Sequence, residues 1–204
     1  MQLYKVARAV VSGVLHLLFR IRVEGIENIP TDRNVLVCAN HLSLFDPPLL
    51  GTCLPVQLRY MAKEELFKNR LFGSLLRAVG AFPIRRGKHD VGALRSAVKM
   101  LKDGECVAIF PEGGRSKTKG KMRKGKSGAA MIASKSGVDI LPVGICGDYR
   151  LFSTMTVRVG KPIPMDAYFD RKVETEELQE MTQCRIMPAI AELAEVETYE
   201  SANC

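Results

Sequence analysis

The chain has 204 residues, and its 47% hydrophobic and 25% charged content is that of an ordinary folded domain. This excludes a disordered, collagenous or low-complexity protein, and the length holds one domain with a real core but not two full ones. Thirty Lys and Arg against 22 Asp and Glu leave a net charge of +8, which favours anionic partners. Six Cys at 38, 53, 106, 146, 184 and 204 form no C-x-x-C pair, and no secretory leader with a cleavage site is visible. Reduced thiols in a cytosol-facing protein are therefore expected. Three His give a His/Cys zinc site little to work with.

The charge is unevenly spread. Residues 1–165 carry a net +15 and residues 166–204 a net −7. A basic body of this kind suits phosphate head groups, nucleic acid or an acidic carrier protein, and charge alone does not choose among them.

Met1 to Arg22 reads as a helix, because Leu3, Val6, Val10, Val14, Leu17 and Ile21 recur at spacings of three and four. Its uncharged stretch, Ala9 to Phe19, is 11 residues long, about 16 Å at 1.5 Å per residue. That is too short for a hydrocarbon core about 30 Å thick. The segment is either an interfacial helix with Lys5, Arg8, Arg20 and Arg22 at the head groups, or a terminal helix packed on the domain's own core.

Beyond Arg33, short apolar runs alternate with helical periods. Strands are expected at Asn34–Ala39, Leu58–Ala62, Ala81–Ile84, Cys106–Phe110, Asp139–Ile145 and Thr154–Val159. Helices are expected at Pro47–Leu54, Glu64–Val79, Val91–Lys102 and Ser127–Ser136, with one or two more over Glu174–Glu197, broken at Pro188. This alternation predicts an α/β fold around a mostly parallel sheet flanked by helices.

Two strand ends carry chemistry, as strand carboxyl ends do in open α/β sheets. After the first apolar run comes Asn40-His41-Leu42-Ser43-Leu44-Phe45-Asp46, followed by Pro47 and Pro48. The prolines open a helix and make Asp46 a candidate N-cap. On a continuous helix, side chains five apart point about 140° away from each other. In a turn, Asp46 folds back, accepts the proton of one ring nitrogen of His41 and leaves the other as a base. A bare H-x4-D is more often a structural His beside a helix cap. The second end, Phe110-Pro111-Glu112-Gly113-Gly114-Arg115-Ser116, is a tight turn whose amides and guanidinium suit an anion, or simply a charged turn. Gly80–Gly87 (GAFPIRRG) closes a short strand with two arginines, and Ile140–Gly144 (ILPVG) is an apolar wall.

Taken together and in this order, NHLSLFD, GAFPIRRG, FPEGGRS and ILPVG resemble the glycerophospholipid acyltransferases, most closely the 1-acylglycerol-3-phosphate acyltransferases, over residues 20–165. The resemblance implies that His41 is a general base oriented by Asp46, and that Arg86, Glu112, Gly113 and Arg115 hold the acceptor's phosphate. Many relatives carry Thr at the position of Gly114, a mild departure. The implied reaction moves a fatty acyl group from acyl-CoA or acyl-[acyl-carrier protein], as co-substrate, to a lysophospholipid hydroxyl and yields phosphatidate. Another lysophospholipid or glycerol 3-phosphate is the alternative acceptor. No metal or bound cofactor is implied. The expected organisation is an interfacial helix at 1–22, a catalytic domain at 23–165 and an acidic helical segment at 166–204. The expected location is the cytoplasmic face of a membrane, monotopic rather than spanning.

Two competing signals lie in one loop. Gly120–Ser127 fits the phosphate-loop pattern G-x4-G-K-S, but that pattern needs a strand running directly into its first Gly, and here a basic loop precedes it. Seven cations between Arg115 and Lys126, with no acid among them, fit a nucleic-acid-binding protein without enzymatic activity. The run holds no aromatic residue and the chain no Trp, so stacking platforms are lacking. An anionic membrane surface or an acidic carrier protein is the expected partner.

Overall fold

The structure is a computed structural model and describes residues 2–84 and 91–199. Seven strands form one sheet: β1 (Arg20–Glu24), β2 (Leu36–Ala39), β3 (Leu58–Lys63), β4 (Ala81–Ile84), β5 (Cys106–Ile109), β6 (Ile140–Cys146) and β7 (Thr154–Val159). Their order across the sheet is β1-β7-β6-β2-β5-β3-β4. Every neighbouring pair is parallel except β6 with β7. The α/β architecture with a mostly parallel sheet is the one the strand–helix alternation predicts.

Helices cover both faces, which is why the central strands are apolar throughout. In β2, Leu36 and Cys38 enter one core while Val37 and Ala39 enter the other. The first core is closed by α4 (Val91–Lys102) and α5 (Gly128–Ser136), and by α6 (Thr175–Met181) and α7 (Met187–Ala194) from the C-terminal segment. The second is closed by α1 (Gln2–Leu18) and α2 (Asp46–Cys53), with α3 (Arg70–Ala78) at its edge. Ala93, Ala97 and Leu101 recur every four residues along α4 and are buried, the stripe that a one-sided helix requires.

Several boundaries differ from the sequence expectation, each for a physical reason. The N-terminal helix stops at Leu18 and not Arg22, because Arg20–Glu24 pairs in parallel with β7. The boundary expected between residues 22 and 23 therefore cuts a strand. Glu64–Val79 divides into a 3-10 turn at Glu64–Phe67 and helix α3. The C-terminal helix is not broken at Pro188. A five-residue π-helical turn, Thr182–Ile186, joins α6 to α7 just before it. Proline has no N–H and its ring clashes with the carbonyl four residues back, so widening the preceding turn lets the helix continue. Cys38, Cys53, Cys106 and Cys146 are free thiols.

The N-terminal helix packs on the domain's own core and leaves a second apolar face exposed. Ala7, Leu15 and the following Phe19 are buried on the domain, while Val6, Val10, Val14 and Leu17 are exposed along the other face. Arg8 fixes its docking by donating to the carbonyls of Thr52 and Leu54 at the end of α2, at 3.1 and 2.8 Å. No helix among the described residues is long and apolar enough to cross a membrane.

Candidate active site

Asn40 follows β2 directly and points its amide at the neighbouring strand. It donates to the Ile145 carbonyl at 2.9 Å and accepts the Ile145 N–H at 2.7 Å. This two-point bond fastens the end of β2 to β6 and starts the turn that carries His41.

The turn is held by one carboxylate. Asp46 is fully buried, and its Oδ2 accepts the backbone N–H groups of Leu42 at 2.6 Å and Ser43 at 2.7 Å. The same oxygen lies 2.7 Å from Nδ1 of His41. A carboxylate oxygen gathering donors accepts, so Nδ1 carries the proton and Nε2 presents a lone pair. Nothing among the described residues hydrogen-bonds Nε2. Asp46 thus organises the turn before the helix, with Phe45 in the N-cap position and Asp46 itself in the first helical turn. The N-cap role expected for Asp46 does not hold, because its side chain is committed backwards to the His41 turn.

The imidazole is clamped on one face by Phe110, whose ring is stacked at 4.0 Å between centroids and 16° between planes. Phe110 stands just beyond β5, the strand paired with β2, so two adjacent strand ends meet at this ring. His41 is 9% exposed, enough for a substrate proton to reach Nε2.

Glu112 locks the second strand end to the first. Oε1 accepts the His41 N–H at 2.8 Å and Oε2 accepts the Arg123 N–H at 2.8 Å. Burial pushes its carboxyl up, while the two amides and the nearby cations oppose this. With both oxygens spent on backbone, Glu112 shapes the turn and does not face solvent. The Ser116 N–H donates to the His41 carbonyl at 2.9 Å and ties the turn a second time. Gly113 sits in the left-handed region at φ 67°, and a Cβ there would meet the Lys126 side chain at 2.9 Å. A Cβ on Gly114 would lie 2.6 Å from the Arg123 guanidinium. Arg123 and Lys126 therefore lie against the Gly113–Gly114 turn, and Arg115 is exposed beside it. Arg86 lies outside the described residues; β4 ends two positions before it, at Ile84.

Sequence reasoning missed three contributors besides Asn40. Tyr149, in the loop after β6, donates its hydroxyl to Asp46 Oδ1 at 2.6 Å. Burial, then the Asp46 charge and this hydrogen bond, push the Tyr149 phenol upward, so it remains a donor. Its ring contacts Phe19 at 5.4 Å and Phe45 at 5.6 Å, which joins the end of α1 to the site. In the sequence Arg123 and Lys126 are two of the seven cations of the basic loop, and only the fold puts them on the Gly113–Gly114 turn. The G-x4-G-K-S match is excluded by position, because β5 ends at Ile109, well before Gly120. Gly125 packs instead against Met187 and Thr182 of the C-terminal helices, where a Cβ would lie 2.6 Å from Met187.

Comparison with known proteins gives the family of the chain. Residues 20–146 match the family model described as acyltransferase. The chain is 32% identical over 187 residues to the 1-acyl-sn-glycerol-3-phosphate acyltransferase of Bacillus subtilis, spanning 89% of this chain and 92% of that protein. It is 36% identical over 128 residues to the enzyme of the same name from Streptococcus pneumoniae, covering 61% of this chain but only 47% of that protein. Among solved structures, the 1-acyl-sn-glycerophosphate (LPA) acyltransferase PlsC of Thermotoga maritima superposes with a TM-score of 0.74 at 32% identity, over 93% of this chain and 79% of that one. The chain belongs to the acyltransferase family.

Proposed function

We propose that the protein transfers a fatty acyl group from a thioester donor to the free hydroxyl of 1-acylglycerol 3-phosphate and so makes phosphatidate. The observation that carries this reading is His41 itself. Its Nδ1 is bonded to a buried carboxylate at 2.7 Å, its ring is stacked, and its Nε2 is left for a substrate. Nε2 takes the acceptor's hydroxyl proton as the oxygen attacks the thioester carbonyl. The tetrahedral adduct expels the thiolate, which takes that proton back. General base catalysis of this kind contributes on the order of 10²–10⁴-fold.

No covalent acyl-enzyme enters the scheme. A cysteine nucleophile must be a thiolate, and burial pushes the thiols of Cys38, Cys53, Cys106 and Cys146 upward, that of Cys53 to about 11. The acceptor's phosphate is held by Arg86, and by Arg115 beside the Gly113 turn, with Arg123 and Lys126 adding positive field and Glu112 fixing the loop. The donor is acyl-CoA or acyl-[acyl-carrier protein], and no bound cofactor takes part. The exposed stripe of α1 rests in the interface of an anionic membrane at its cytoplasmic face, residues 23–165 carry catalysis, and residues 166–204 brace them.

The test is an acyl-transfer assay of the purified protein with lysophosphatidate, other lysophospholipids and glycerol 3-phosphate, each with both donor types. Turnover with lysophosphatidate, lost in His41→Ala with lipid binding retained, is expected. Absence of turnover with every acceptor overturns the reading, and an acyl-enzyme trapped with labelled donor overturns the direct mechanism.

A further inference from the structure

The rim of the His41 site carries large apolar side chains that nothing among the described residues covers. Leu17 at the end of α1 is 73% exposed, Leu44 in the His41 turn 70%, and Leu151 and Phe152 in the loop between β6 and β7 are 67% and 68% exposed. These residues form one neighbourhood. The Phe152 N–H donates to the Leu18 carbonyl at 2.7 Å, and the Arg20 N–H donates to the Ser153 carbonyl at 2.8 Å. Phe19 at the end of α1 touches the rings of both Phe45 and Tyr149.

Phe152 is held at φ 63°. Turns that need this left-handed conformation ordinarily use Gly, Asn or Asp, and a bulky aromatic there is an outlier. A large apolar ring kept in water on strained backbone gives the domain no core packing in return.

We propose that the tip of this loop, Leu151 and Phe152, is a second membrane-inserting element that acts with Leu17 and Leu44 to seat the mouth of the site on an anionic lipid surface. The surroundings favour lipid over a protein partner. Arg20 and Arg150 are exposed on either side of the tip, and residues 1–165 carry a net charge of +15. Exposed apolar side chains flanked by arginines, with the nearby Asp148 neutralised by Lys119 at 2.7 Å, fit interfacial insertion. The patch is also continuous with the exposed Val6, Val10 and Val14 stripe of α1. The inference rests on the reading of the substrate as a lipid, and it assigns the loop a role in reaching that substrate. Tyr149, two residues before Leu151, bonds Asp46, so the inserted tip and the catalytic carboxylate share one short loop.

The chain contains no Trp, so Phe152→Trp gives a single fluorescent reporter, and Tyr168→Trp, packed on the opposite core, is the control. With mixed phosphatidylglycerol–phosphatidylcholine vesicles, the emission of Phe152→Trp should move to the blue and be quenched by brominated acyl chains, while the control stays unchanged. The double variant Leu151→Ser/Phe152→Ser should bind these vesicles at least about tenfold more weakly, the least expected for the loss of two inserted apolar side chains. Its acylation of vesicle-borne acceptor should fall in parallel, and its rate with a short-chain monomeric acceptor should change far less. Unshifted emission on vesicles that do bind the protein overturns the proposal. So does a blue shift that grows with protein concentration without lipid, which would mean that a second copy covers the patch. A reporter that inserts in a protein without turnover on any acceptor sustains the surface and overturns the acyltransferase reading alone.

Discussion

Asp46 collects donors from three backbone or side-chain groups on one oxygen and the Tyr149 hydroxyl on the other. Its replacement by Asn removes the charge that orients and stabilises the imidazole while keeping the shape. The expected outcome is a fall in kcat of about 10²–10⁴-fold with the fold retained, checked by steady-state kinetics beside circular dichroism. Tyr149→Phe leaves a buried carboxylate oxygen without its donor, and urea unfolding should show a loss of about 1.5–3 kcal/mol. Glu112 makes a prediction in pH. Its carboxyl is raised in the folded state, so the stability it contributes is present below the ordinary carboxylate range and is lost as pH rises through the raised value. Gln does not titrate. The difference in Tm between wild type and Glu112→Gln should therefore narrow as pH climbs from the ordinary carboxylate range towards neutrality. The His41–Asp46 pairing was legible in the sequence because a five-residue turn confines both partners. Tyr149 was not, because it reaches Asp46 across 103 positions, and only the β6–β2 adjacency places it there. Asn40 escaped notice for the same reason, since its partner is the backbone of Ile145.

Elements were legible where one period dominated, as in the Ala93-Ala97-Leu101 stripe of α4. They were misread where two demands overlapped. Ile21 continues the helical spacing of α1, yet the parallel ladder with β7 claims Arg20–Glu24. The C-terminal segment looked like an acidic appendage because its charges are conspicuous and its burial is not. Leu178, Met181, Ile186, Met187 and Ile190 are buried in the main core. Gly144 shows how closely this segment packs, since a Cβ there would stand 2.3 Å from the Leu193 backbone carbon of α7. Backbone does not move aside as a flexible side chain does, so Gly144→Ala should cost about 1–3 kcal/mol or more, read by urea denaturation. In the sequence, Gly144 appeared only as the end of an apolar wall.

At the scale of the whole molecule, charge and apolar surface act on different lengths. The net +15 of residues 1–165 acts through solvent and is screened within about 8 Å at physiological ionic strength, whereas the stripe of α1 acts by contact. Raising salt towards about 1 M, where the screening length drops to about 3 Å, should weaken binding to anionic vesicles markedly. Binding to neutral vesicles should hardly change, and co-sedimentation across a salt series checks both. The sheet order carries a further consequence, for the order in which the protein assembles. β1 begins at Arg20, but among the described residues its one partner is β7, Arg20 against Thr154. During synthesis its place in the sheet does not exist until most of the chain has emerged, because domains fold as such long-range pairings become available. Throughout that interval the amphipathic α1 precedes an unpaired strand. The last strand to arrive is thus the one that gives the first its place, and the sheet closes on its own beginning.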